Sequence, residues 1–190
     1  MNGEQRFWLV RHAVVARPRG IIHDPDAPAD VSDGVAFARL RARLPNPCTV
    51  FASPARRTLD TARALGLAPV EEPRLREQQF GAWTGRRHAE IEAELGPAYR
   101  EFWRAPATNR PPGGESFADQ IARVAPCLPE LPEGDVVLVI HSGTVRAVLA
   151  IALDLTPDAA LRFVIDPLSL TRVDRLPEGW RIGAINMSVT

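Results

Sequence analysis

The chain contains no lysine, so all 23 of its basic residues are arginines. Acidic residues also number 23, which gives a formal net charge of zero. No basic run or acidic tail interrupts this balance, and nothing in the charge pattern indicates binding to nucleic acid or to an anionic membrane. We therefore expect neither as a partner. A site for an anion has to be built from arginines that the fold brings together.

Cysteine is also scarce. Cys48 and Cys127 are far apart and lack metal-ligand spacing, so we predict buried free thiols in a reducing compartment, with a single disulfide as the alternative. No apolar run approaches the length of a membrane span, and residues 1–6 lack the hydrophobic core of a signal peptide. These absences predict a cytoplasmic protein without a membrane partner.

What the chain does contain is a series of short apolar runs that alternate with helical patterns. Residues 7–10, 48–52 and 135–140 read as buried strands, and helices are predicted over 34–44, 54–65, 117–128 and 142–153. The tail, 162–184, is predicted to form two or three strands broken by prolines. This alternation predicts an α/β fold with a mostly parallel sheet covered on both faces. The length of 190 residues suits one domain over 1–190.

Polar groups follow three of these strands. Arg11 and His12 end the first, Ser53 begins the turn that leads to Arg57, and His141 follows the most apolar strand. Parallel strands present their carboxyl ends at one edge of a sheet, where ligands bind in open α/β folds. Taken singly, each residue fits a structural histidine or a solvated arginine equally well. Together they predict a site for a polyvalent anion such as a phosphoryl group.

The residues around these strand ends resemble the motifs of the histidine phosphatase superfamily, which includes phosphoglycerate mutases and many small phosphatases. Five motifs occur in the family's order over nearly the whole chain. They are Arg11-His12-Ala13, residues 53–62, residues 75–85, residues 112–116 and His141-Ser142-Gly143. The resemblance implies a three-layer αβα sandwich of the phosphoglycerate mutase type, with a mostly parallel central sheet.

The resemblance also implies roles. His12 is similar to the nucleophile that accepts the phosphoryl group. Arg11, Arg57 and His141 are similar to the residues that bind the oxygens of this group. Glu77 is similar to the acid that protonates the leaving oxygen. Neighbouring guanidinium charges lower a histidine's pKa and keep it nucleophilic. An acid at the position of Glu77 requires partial desolvation, for which we expect aromatic neighbours.

Several positions depart from the family pattern. Ala13 and Ser142 replace glycines, and Ser142 is expected to retain a backbone N–H for phosphate binding. Asp60 replaces a glutamine and is expected to lie away from the phosphate. His23 and His88 match no catalytic position, and we expect both on the surface. Phe80 and Trp83 are the aromatic residues expected beside the acid, Glu77.

The implied function is a metal-independent phosphomonoesterase that needs no cofactor and acts on a small phosphorylated metabolite. The loop over residues 13–28 is similar to that of α-ribazole phosphatases, which makes α-ribazole 5′-phosphate one candidate substrate. A phosphoglycerate mutase and a catalytically silent binding or regulatory protein are the alternatives. The family's mutases carry a longer insertion in the region of residues 86–114. We expect a monomer or a homodimer.

Overall fold

A six-stranded sheet organises the protein, whose computed structural model describes residues 3–188. Residues 1–2 and 189–190 of the predicted domain lie outside the described part. The strands are β1 Gln5–Arg11, β2 Thr49–Ala52, β3 Val70–Glu71, β4 Gly134–Ile140, β5 Leu170–Leu176 and β6 Gly179–Met187. Their order is β3-β2-β4-β1-β5-β6. The first four strands in chain order are mutually parallel, and β5 is antiparallel to both β1 and β6.

The central strands are buried on both faces, because successive side chains of a strand point to opposite sides. Phe7 and Leu9 of β1 pack in one hydrophobic cluster, and Val10 packs in the other. In β4, Leu138 and Val139 divide between the two clusters in the same way. All five side chains have no exposed surface, which is why both strands read as continuous apolar runs rather than as alternating ones.

Helices cover both faces of the sheet. They are α1 Gly34–Arg41, α2 Arg56–Ala64, α3 His88–Leu95, α4 Pro97–Arg104, α5 Phe117–Val124, α6 Ser142–Leu153 and α7 Pro157–Ala160. Helices α1 and α2 pack in the cluster that holds Val10, whereas α5, α6 and α7 pack in the cluster that holds Phe7. The predicted three-layer αβα sandwich with a mostly parallel sheet is confirmed. No helix within residues 3–188 is both long and apolar enough to cross a membrane.

A third hydrophobic cluster lies beyond the carboxyl edge of the sheet. It joins α3 and α4 to Ile22 in the loop after β1 and to Trp83. The Trp83 and Phe102 rings meet edge to face with centroids 4.8 Å apart, a favoured aromatic geometry. Backbone hydrogen bonds from Ile22 to Arg86 and from Gly85 to Ile22 fix the loop in place. This cluster builds the outer wall above the strand ends.

Several element ends differ from the predicted ones. Helix α5 ends at Val124 rather than at residue 128, because Pro126 has no backbone N–H with which to continue the helical hydrogen bonds. Helix α7, which the sequence analysis missed, begins where the Thr156 side chain accepts a hydrogen bond from the backbone N–H of Ala159, a standard N-cap.

Both cysteines are free thiols, as predicted. Cys127 is buried and Cys48 is half-buried, so the predicted burial holds fully only for Cys127. Desolvation raises the pKa of the Cys127 thiol to about 12, which keeps it protonated and poorly nucleophilic at neutral pH.

Candidate active site

Three neighbouring strands end side by side at the carboxyl edge of the sheet. The backbone N–H of His12 donates to the carbonyl of Ile140 at 2.9 Å, and that of Ser53 donates to the carbonyl of Val139 at 3.2 Å. These bonds continue the sheet one residue past β1 and β2. His141, which follows β4, therefore lies between the chain segments that carry His12 and Ser53. The sheet register itself brings the polar groups together.

His12 is held in one tautomer by the main chain. Its Nδ1 lies 2.7 Å from the carbonyl oxygen of Ala13. A carbonyl only accepts hydrogen bonds, so Nδ1 carries the proton and Nε2 keeps its lone pair. Burial, reinforced by the charge of Arg57, lowers the pKa of His12 to about 3. The imidazole is therefore neutral at physiological pH, with a free nucleophilic nitrogen.

His141 packs against His12 and is completely buried. The two rings meet edge to face, with centroids 5.1 Å apart. His141 Nε2 lies 2.8 Å from the Ser53 hydroxyl, while its Nδ1 is buried without a hydrogen-bond partner among residues 3–188. Burial, followed by the charge of Arg57, lowers the pKa of His141 well below its usual value. The ring is a neutral polar group with unused hydrogen-bonding capacity.

Two arginines supply positive charge beside these histidines. Arg57 in the first turn of α2 is 6% exposed, and its Nη1 donates to the carbonyl of Asp24 at 3.0 Å. Arg11 donates through Nη1 to the carbonyl of Ile165, and its buried Nε has no partner in the described part of the chain. Burial lowers the pKa of both guanidinium groups, but arginine remains charged in proteins. Each retains donors for an anion.

Glu77 is fixed by hydrogen bonds at the start of α6. Its Oε1 accepts from the backbone N–H of Gln78 at 3.1 Å and from Gln120 Nε2 at 3.2 Å, and its Oε2 accepts from the backbone N–H of Gly143 at 3.3 Å. A Cβ on Gly143 would lie only 2.2 Å from Glu77 Oε1. Glycine at position 143 therefore permits the approach of the carboxyl group to the helix.

The residues that hold Glu77 are ones that the sequence analysis missed. Gln120 is fully buried, and Arg123 donates to the carbonyls of Arg76 and Glu77. Both lie on α5, which begins at a capping box formed by Ser116 and Asp119. The signal in the sequence was the motif at residues 112–116, whose Ser116 positions this helix rather than touching the cavity.

The strand ends open into a cavity of about 920 Å³. Its inner end contains the predicted residues Arg11, His12, Arg57, Glu77, His141 and Ser142. Its outer wall comes from the loop after β1, from Arg76 and residues 78–81, and from Thr84, His88 and Trp103. A bare phosphate fills only a small part of this volume, so the remainder is available to the rest of a ligand.

His23 and His88, which were expected on the surface, are half-buried and line the cavity. The loop after β1 folds back against residues 85–88, and this contact places His23 beside Arg57. The Nδ1 of His23 is buried without a hydrogen-bond partner in residues 3–188, and burial lowers the pKa of this residue. His88 bonds through Nδ1 to the Tyr99 hydroxyl.

Of the remaining residues considered in the sequence, Phe80 lines the cavity, whereas Trp83, Asp60 and Arg56 lie outside it. Phe80 lines the cavity as expected, whereas Trp83 packs outward in the third hydrophobic cluster. Asp60 stays outside the cavity, where it accepts from the backbone N–H of Ala29 and pairs with Arg56. Arg56 is exposed, in contrast to its neighbour Arg57.

The mostly parallel sheet carries two neutral histidines, the half-buried Arg11, the buried Arg57 and a carboxyl group at its carboxyl edge, an arrangement suited to a polyvalent anion. Residues 7–188 match the family model of the histidine phosphatase superfamily, branch 1. The chain belongs to this superfamily. The resemblance given by five short motifs is confirmed, and so is the prediction of a phosphatase-type enzyme.

Individual proteins resemble the chain over most of its length. A glucosyl-3-phosphoglycerate phosphatase from Mycobacterium tuberculosis is 39% identical over 172 residues, which are 80% of this chain and 76% of that protein. The native structure of a mycobacterial glucosyl-3-phosphoglycerate phosphatase is 29% identical, with a TM-score of 0.81 over 97% of this chain and 100% of that one.

An α-ribazole phosphatase from Shigella flexneri is 22% identical, with a TM-score of 0.81 over 95% of this chain and 96% of that one. At this identity the likeness shows the shared fold alone.

Proposed function

We propose that the protein is a metal-independent phosphomonoesterase, which hydrolyses a small phosphorylated metabolite through a phosphohistidine at His12. The observation that carries this proposal is the hydrogen bond between His12 Nδ1 and the Ala13 carbonyl. It leaves Nε2 as a neutral nucleophile inside a cavity whose inner end contains Arg11 and Arg57. Phosphoryl transfer depends mainly on positioning and on charge stabilisation, and this arrangement supplies both.

In the first step, the Nε2 lone pair of His12 attacks phosphorus and the bond from phosphorus to the alcohol oxygen breaks. Glu77, in its protonated form, gives its proton to the leaving alcohol. The imidazole gains a positive charge as it becomes phosphorylated, and the Ala13 carbonyl stabilises the Nδ1–H that remains. Arg11, Arg57 and His141 hold the equatorial oxygens, and the backbone N–H of Ser142 at the start of α6 is a further donor.

In the second step, Glu77 removes a proton from a water molecule that attacks phosphorus. The phosphorus–nitrogen bond breaks, inorganic phosphate leaves, and neutral His12 is restored. Glu77 regains the proton with which it began, so the cycle converts a phosphomonoester and water into an alcohol and phosphate. Val14 and Trp103, which line the cavity, are 55% and 42% exposed. The mouth of the cavity is therefore open to water, and in this proposal water enters there to reach the intermediate.

Two substrates are proposed for testing. Glucosyl-3-phosphoglycerate is the substrate in the name of the 39% identical relative. α-Ribazole 5′-phosphate is suggested by the loop over residues 13–28 and by the shared fold. The sequence identity favours the first. A panel that includes both compounds and simple sugar phosphates, assayed for phosphate release, ranks them directly.

Access of water also separates a phosphatase from a mutase. A mutase has to retain its phosphohistidine and exclude water under a closing segment. The cover available here is the pair of eight-residue helices α3 and α4. We expect 3-phosphoglycerate to yield inorganic phosphate in a malachite green assay, with no 2-phosphoglycerate above background. Efficient interconversion dependent on 2,3-bisphosphoglycerate would identify a mutase, and no release from any phosphomonoester would identify a silent binding protein.

Activity is expected to persist in the presence of a chelator. Within residues 3–188, no group of three or more histidine, cysteine, aspartate or glutamate side chains is placed to hold a metal ion. Positive charge comes instead from Arg11 and Arg57. Hydrolysis of p-nitrophenyl phosphate after dialysis against EDTA should equal that of the untreated enzyme, and vanadate should inhibit it. Loss of activity that magnesium or zinc restores would contradict a metal-independent reaction.

A further inference from the structure

Positive charge is concentrated in the cavity, although the chain as a whole has no net charge. The cavity wall contains five arginines and, among the described residues, a single acidic side chain, that of Glu77. The arginines are Arg11, Arg17, Arg19, Arg57 and Arg76. Such an excess in a concave site attracts anions and raises their local concentration.

Three of these arginines have an evident partner. Arg57 is buried and Arg11 half-buried at the inner end beside His12, where the proposed reaction places the phosphoryl group. Arg17 forms an ion pair with Asp24, with Nη1 and Oδ2 at 2.7 Å. The phosphoryl group and Asp24 therefore account for three of the five charges.

Arg19 and Arg76 remain. Both are exposed, and neither side chain lies within ion-pair distance of a carboxylate in the part of the chain that the structure describes. Elsewhere on the surface, arginines commonly have such a partner. For example, Arg104 pairs with Glu101 at 2.8 Å. The unpaired guanidinium groups of Arg19 and Arg76 both lie in the wall of the cavity. Arg39 of α1 also has no carboxylate partner within residues 3–188, but it lies outside the cavity.

The backbones that carry these two residues are fixed. The carbonyl of Arg76 accepts hydrogen bonds from Gln120 Nε2 and Thr144 Oγ1, both at 3.2 Å. Beside Arg19, the carbonyl of Gly20 accepts from the backbone N–H of His88 at 2.9 Å. Both arginines therefore project from anchored segments, and little main-chain entropy is lost when a ligand orders them.

We propose that Arg19 and Arg76 form a second anion subsite, which binds a carboxylate or second phosphate on the alcohol portion of the substrate. The proposal deepens the proposed function and rests on it. Guanidinium groups match both kinds of anion through paired N–H donors. The subsite selects between the two candidate substrates, because glucosyl-3-phosphoglycerate has a glycerate carboxylate whereas α-ribazole 5′-phosphate has no second anionic group.

The test compares phosphomonoesters that differ only in the second anion. 3-Phosphoglycerate and glycerol 3-phosphate share a three-carbon skeleton and differ at carboxylate versus hydroxymethyl. We expect the wild type to favour 3-phosphoglycerate about tenfold in kcat/KM, since two exposed ion pairs each contribute a few-fold. Arg19→Gln and Arg76→Gln should each reduce this ratio, and the double variant should bring it close to one. The exposed Arg39 of α1 lies outside the cavity, so Arg39→Gln is the matched control and should keep the ratio.

A second pair of substrates, fructose 1,6-bisphosphate and fructose 6-phosphate, shows whether the subsite also accepts a phosphate. If the wild type has a higher kcat/KM for the bisphosphate and the double variant does not, the subsite accepts either kind of anion. If the two values of kcat/KM are equal in the wild type, the subsite is selective for carboxylate. Either result supports the subsite when the first pair behaves as expected. A wild-type ratio near one for both pairs, or a preference that survives in the double variant, overturns it.

Binding keeps this test separate from that of the proposed reaction. Calorimetric titration of His12→Asn with 3-phosphoglycerate and glycerol 3-phosphate measures affinity in a protein without its proposed nucleophile. We expect His12→Asn to bind 3-phosphoglycerate about tenfold more tightly than glycerol 3-phosphate, and to lose this preference when Arg19→Gln and Arg76→Gln are added. This result supports the subsite even if the wild type hydrolyses nothing. Equal dissociation constants in an enzyme that hydrolyses p-nitrophenyl phosphate overturn the subsite and leave the phosphatase proposal intact.

Discussion

The His12→Ala variant is expected to lose at least about 10³-fold of kcat on p-nitrophenyl phosphate, because the substitution removes the proposed nucleophile and with it the covalent route. The arginines and Glu77 remain, but water cannot reproduce the position of a bound imidazole nitrogen. The measurement is the steady-state release of p-nitrophenol, with the variant at high concentration. An activity of more than a few per cent of the wild type would remove His12 from this role.

Two controls make the His12 result specific. Circular dichroism and thermal unfolding should show a folded variant, since His12 is buried as a neutral group and its main hydrogen bond is to the adjacent Ala13. The second control is His23→Asn, which alters another histidine of the same cavity. Within residues 3–188, no main-chain hydrogen bond holds Nδ1 of His23 in one tautomer. We expect this variant to retain more than about a tenth of kcat, far above His12→Ala.

The second large effect is expected at Arg57. Arg57→Gln should reduce kcat by about 10²- to 10³-fold, the range found when one donor to a developing oxyanion is removed. Arg57 is 6% exposed and its guanidinium group donates to the carbonyl of Asp24, so its charge acts in a poorly hydrated environment. Steady-state kinetics on p-nitrophenyl phosphate measure the loss, and weaker inhibition by vanadate should accompany it.

The neighbouring arginine is a matched control. Arg56 occupies the same turn of α2, but it is exposed and pairs with Asp60 at 3.6 Å. Arg56→Gln should therefore change kcat by less than about twofold, because surface ion pairs contribute little. Equal losses in the two variants would show that the charge of the helix end matters, rather than the position of Arg57 in the cavity.

The part of the site on the sheet was predictable because local sequence encodes it. Short apolar runs that end in a histidine or a serine place these residues at strand ends, and parallel neighbours bring strand ends together. His12, Ser53 and His141 meet for this reason. Helix geometry places both Arg56 and Arg57 in the first turn of α2, and the resemblance to the family motif favoured Arg57.

The outer wall was not predictable from such patterns. His23 and His88 line the cavity because the loop after β1 hydrogen-bonds to residues 85–88, a contact between segments more than sixty residues apart. The support of Glu77 by Gln120 is likewise a contact across 43 positions. Hydrophobic periodicity shows which face of a single helix or strand is buried, but it contains no information on which loop packs against which other segment.

Phosphohistidine mapping tests the central claim most directly. The enzyme is mixed with a phosphomonoester and quenched in alkali, in which phosphohistidine is stable, and the peptides are analysed by mass spectrometry. We predict one phosphoryl group on His12, lost on treatment with acid and absent in His12→Ala. A phosphoryl group on a different residue, or steady turnover with no phosphorylated protein at any time after mixing, would contradict the account.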